Sequence, residues 1–127
     1  MTDSLWPLPA DPIVEEVSAF AARHRLSARA REIDRHPEFP RAEYAAMGDA
    51  GLLGLTVLKE LGGRGMPLTR AAVALFHLAY RGGTAFAKLA IQPEFASVLS
   101  ERGPPALVQE WFRPMVAGRR LVGNQIT

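Results

Sequence analysis

Glycine and proline cut this chain into helix-length pieces, and that punctuation limits its fold more than any other feature. Pro12, Pro37, Pro40, Gly51, Gly62, Gly63, Gly65, Gly82, Gly83, Gly103, Pro104, Pro105 and Gly118 fall between segments in which apolar residues recur every three or four positions. Such a pattern predicts an all-α domain, an up-and-down bundle of about five helices.

The first helix opens at Asp11-Pro12, a capping residue followed by proline at the first helical position, and should run to about Asp34. Its apolar stripe is Ile13, Val17, Phe20, His24 and Ala28. A second, short helix spans Pro40 to Gly51, after which Leu52 and Leu53 turn inward and 55–58 is expected to be extended. The third, about Leu68 to Arg81, is apolar on nearly every face and should be the central helix, packed on several sides. A fourth follows Gly82-Gly83-Thr84 and runs to about Arg102, with Pro93 inside it as an expected kink, and a fifth starts at Pro104-Pro105 and stops before Gly118. Residues 119–127 read as a strand without a partner upstream, the start of a truncated β-domain; 1–10 form a tail and 11–118 the helical domain.

Composition removes several function classes. The 127 residues fit one domain, with 48% hydrophobic and 22% charged residues, an ordinary globular balance. Fifteen basic and 13 acidic residues are intermixed, so no broad field holds a nucleic acid. The absence of cysteine excludes disulfides, thiolate nucleophiles and cysteine-ligated metals. The amino terminus does not read as a secretory signal and no apolar run can span a bilayer, so a cytoplasmic protein without membrane insertion is expected.

Signals of self-contained chemistry are also missing. Gly62, Gly63 and Gly65 lack the lysine and serine or threonine of a phosphate loop and read as a turn. His24, His36 and His77 are too scattered for a metal motif, and no metal site is expected. The arginines from Arg23 to Arg35 are offset by Glu32 and Asp34 and read as a solvated helix surface. Phe20, Phe76, Phe86, Phe95, Trp111 and Phe112 recur at helical spacing and read as core. No nucleophile elbow or paired carboxylates stand out, so no catalytic residue is assigned.

Three ordered motifs carry a family resemblance: 32–40 (EIDRHPEFP), 50–55 (AGLLGL) and 60–65 (ELGGRG). With Leu78-Ala79-Tyr80, the stretch Gly103 to Arg113, and Pro114 to Gly118, they resemble the successive helix-boundary motifs of acyl-CoA dehydrogenases, so that the resemblance covers roughly Asp11 to Thr127. It implies the N-terminal helical domain of an FAD-dependent oxidoreductase acting on the CH–CH bond of an acyl-CoA thioester, in which flavin accepts a hydride and a glutamate outside this region takes a proton.

For this region the resemblance implies a wall of the acyl pocket, made by Phe86, Ala87, Ala90, Ile91 and Glu94 on one stripe of the fourth helix. The same stripe serves equally as plain core, and Glu94 suits only a polar or shortened substrate. Asn124, Ile126 and Thr127 are the implied flavin contacts, although Asn124 replaces an aromatic residue common there. The implied partners are an acyl-CoA-type thioester substrate and the remaining domains or a second chain carrying them, and an oligomer is expected. Phe76-His77 stands where many relatives carry acidic residues and, with Pro93, points to a divergent branch, which leaves flavin-dependent oxidases and hydroxylases open beside dehydrogenases. A helical module that kept the fold but not the chemistry is the other reading.

Overall fold

The computed structural model describes residues 11–121, all of whose regular elements are helical. The expected tail over 1–10 lies outside them, as does the expected strand beyond Leu121, and with it Asn124, Ile126 and Thr127. Helix α1 is Pro12–Arg23, α2 Leu26–Arg35, α3 Arg41–Asp49, α4 Leu68–Gly82, α5 Thr84–Ala90, α6 Gln92–Phe95 and α7 Ser97–Arg102. The last helical run comprises Pro105–Leu107 (α8), a π-helical turn at Val108–Phe112, and Arg113–Val116 (α9).

Asp11 caps α1 as its sequence suggests, accepting from the Ile13 N–H at 3.0 Å. The single long helix expected to reach Asp34 is instead two. His24 closes α1 with its ring 4.4 Å from that of Phe20, and Arg25 adopts a left-handed conformation, φ 50° and ψ 40°. A non-glycine residue held there costs about 1–2 kcal/mol. The bend turns Leu26 into the core, where it is fully buried, and that burial offsets the strain.

Helix α3 ends where expected, with Gly51 at positive φ after the Ala50 cap. Leu52 and Leu53 are buried. The segment 55–58 is bent rather than a strand, although the N–H groups of Arg64, Gly65 and Met66 bond the carbonyls of Gly54, Val57 and Leu55, each at 2.8 Å. Gly63 makes that loop possible, because a Cβ there would lie 2.1 Å from the Val57 carbonyl oxygen.

The main core joins α1, α3, α4 and α5 through Ile13, Val17, Tyr44, Met47, Ala74, Leu78 and Phe86. Helix α4 packs against α1, α2 and α5 and is central, yet it is not covered on every side: Leu68, Ala72, Phe76 and Tyr80, at spacings of four, stay exposed. A second cluster, Val57, Ala96, Val108, Phe112, Met115 and Val116, sits under the carboxyl-terminal helices.

The fourth expected helix is broken at Ile91 and Ala96 into α5, α6 and α7. Pro93 falls in the first turn of α6, where a missing N–H leaves no bond unmade, so it starts a helix instead of kinking one. Pro114 acts differently. Its nitrogen cannot donate to Glu110, and the turn before it widens so that the Arg113 N–H reaches Val108.

Candidate functional site

The stripe implied for substrate contact divides in two along α5. Phe86 is 0% exposed and Ala90 1%, and both belong to the main core. Ala87 and Ile91 are half-buried, which leaves part of their apolar surface for a neighbour or ligand. Glycine and threonine set this element: Gly83, at φ 86°, lets the chain leave α4 and start α5 at Thr84 with no residue between but itself.

Glu94 lies one break further on, in α6, and is also half-buried. Its carboxylate accepts from the Thr56 N–H at 3.2 Å and from the Thr56 hydroxyl. This pair fixes the bent segment over 55–58 to α6 and meets the desolvation demand of a half-buried carboxylate. Thr56 and Glu94 line a cavity of about 310 Å³ together with Ser97, Ser100, Glu101 and Phe112. Its lining is richer in hydroxyl and carboxylate groups than the α5 face. Thirty-eight residues separate Thr56 from Glu94, and no local spacing signals their pairing.

The ion pairs elsewhere in the fold join its elements. Arg29 bonds Glu43 at 2.8 Å, Glu32 at 3.2 Å and Glu38, so it ties α2 to the connection and to α3. These carboxylates raise the pKa of an already basic group. Arg64 bridges bidentately to Glu16, and Arg70 to Asp11. The Arg70 hydrogen bonds, assisted by the Ile13 N–H, lower Asp11 to about 2. Burial pushes Tyr44 up to about 12, and its hydroxyl donates to the Arg120 carbonyl at 3.2 Å.

Among the described residues no group of three histidine, aspartate or glutamate side chains lies close enough to hold a metal, and no helix is long and apolar enough to cross a membrane. The histidines do other things: His24 packs on Phe20, and the His77 ring meets Phe76 edge-on.

The family model described as acyl-CoA dehydrogenase, N-terminal domain, matches residues 10–119. An amino sugar nitrososynthase of Streptomyces rubradiris is 31% identical over 94% of this chain and 33% of its own length. A short-chain specific acyl-CoA dehydrogenase of Clostridium acetobutylicum is 26% identical over 91% of this chain and 31% of its own. The chain thus spans about a third of the length of these relatives.

Proposed function

The chain belongs to the acyl-CoA dehydrogenase N-terminal domain family, and on that premise we propose that it is the helical domain of a flavin-dependent oxidoreductase acting on acyl-CoA-type thioesters. It is completed by a middle and a carboxyl-terminal domain, carried on the same product or on a second chain. The observation that carries this reading is the extent of the family match, 10–119, set against relatives three times as long.

In this reading Ala87 and Ile91 contribute apolar surface to the substrate slot, while Phe86 and Ala90 hold α5 in place from behind. The half-buried surface of α5 suits an acyl chain better than the polar edge of a flavin. The flavin contacts proposed for this chain are those the family resemblance implies, Asn124, Ile126 and Thr127, which follow the described residues. FAD, bound by the completed assembly, supplies the hydride acceptor. This chain supplies no catalytic residue; its part is to bind, orient and exclude water.

A second reading is favoured by Glu94. A carboxylate with three hydroxyl-bearing neighbours, Thr56, Ser97 and Ser100, around one cavity suits a polar or amine-bearing substrate, and the relative from Streptomyces rubradiris is named for an amino sugar. The enzyme would then be an oxidase or hydroxylase relative rather than a dehydrogenase.

Co-purification with the completing domains separates these readings from a non-catalytic helical module. A complex with flavin absorbance that bleaches anaerobically on addition of a short acyl-CoA supports the dehydrogenase. Flavin absorbance that is indifferent to acyl-CoA supports the second reading, and a colourless complex supports the module.

A further inference from the structure

An open groove of about 640 Å³ lies where the α1–α2 bend meets the end of α4, on residues the proposed function does not use. Its lining includes Arg25, Arg31 and Arg81, together with Ser18, Ser27 and Tyr80, and no carboxylate. Arg29, Arg64, Arg70 and Arg119 each bridge to a carboxylate, whereas none of the groove's three guanidinium groups does so among the described residues. Arg31 donates to the Ser27 hydroxyl at 3.0 Å, an arrangement that orients it without neutralising it.

Two further features converge on this place. Arg25, the one non-glycine residue at positive φ among the described residues, has its side chain on the groove at the bend that Leu26 burial holds. Tyr80 is 77% exposed, and its ring stacks on that of Phe76 at 6.3 Å and 4°, which presents a flat aromatic face beside the three cations.

We propose that this groove binds a phosphate ester carrying a planar ring, a nucleotide-type ligand, with Arg25, Arg31 and Arg81 on the phosphoryl oxygens and Tyr80 against the ring. Guanidinium groups match phosphate oxygens in geometry as well as charge, and three of them on one groove whose lining holds no carboxylate make it locally positive. The groove is large enough for such a ligand. The groove shares no residue with the slot of the proposed function.

Equilibrium titration of the full chain with ADP, pyrophosphate and adenosine tests it, with folding of each variant checked by circular dichroism. ADP and pyrophosphate should bind saturably and more weakly as salt rises, with adenosine far weaker. Arg25→Gln, Arg31→Gln and Arg81→Gln should each weaken both anions about tenfold, the loss of one charge-assisted contact. Arg102→Gln, an exposed arginine outside the groove, should leave binding unchanged. Tyr80→Ala should weaken ADP while sparing pyrophosphate. Absence of saturable anion binding, equal binding of adenosine and ADP, or an equal effect of Arg102→Gln and the groove substitutions overturns the proposal. An unchanged ADP affinity in Tyr80→Ala overturns the role of the ring.

Discussion

Asp11 does two jobs at one position, capping α1 and holding Arg70 at the start of α4. Its carboxyl has a folded value of about 2 against an ordinary 3.8, so between those values the unfolded chain binds more protons than the folded one. Stability from this group is therefore present above about pH 4 and lost as pH falls towards 2. Thermal melts between pH 5 and pH 2 should show a fall that is shallower in Asp11→Asn; identical pH profiles would contradict the role. At Gly63 the constraint is space. Gly63→Ala should destabilise by about 3 kcal/mol, read by chemical denaturation, because the obstructing atom is backbone and cannot swing away. The Asp11 cap was legible in the sequence, being a local rule. Its partner Arg70, and the Thr56–Glu94 pair, were not, since each joins residues that only tertiary folding brings together.

At the scale of elements, periodicity located the helices but not their interruptions. Ile13, Val17 and Phe20 read correctly as a buried stripe. The break after His24 was invisible because no glycine or proline marks it; what forces it is the burial of Leu26 against Gly82, where a Cβ would meet the Leu26 Cβ at 2.9 Å. Leu26→Ala should cost about 2–5 kcal/mol by denaturant titration, as for other fully buried leucines, whereas a loss under 1 kcal/mol would mean that the bend does not depend on this contact. Pro93 is plain in the sequence but its role is not, since proline at a helix start and proline within a helix look alike until the break before it is known. The candidate slot shares this ambiguity: an apolar stripe on α5 reads the same for core and for pocket, and only burial separates Phe86 and Ala90 from Ala87 and Ile91.

The whole molecule presents apolar surface that its own core does not use. Three of its most exposed large apolar side chains lie on α4, Leu68 76%, Phe76 52% and Tyr80 77% exposed. The chain alone should accordingly bind a hydrophobic dye, and Phe76→Ser with Tyr80→Ser should reduce the signal by more than half; no change would place the dye elsewhere. Family membership and partial coverage of longer relatives make completion by further domains the central reading. Its most direct test uses the completed, flavin-loaded assembly and compares anaerobic flavin bleaching by a short acyl-CoA in the parent and in Ala87→Trp. Rapid bleaching in the parent, with at least a tenfold loss of apparent acyl-CoA affinity in the variant and flavin content retained, is the result predicted for a slot wall on α5. Equal bleaching at equal acyl-CoA concentration in both proteins would contradict it.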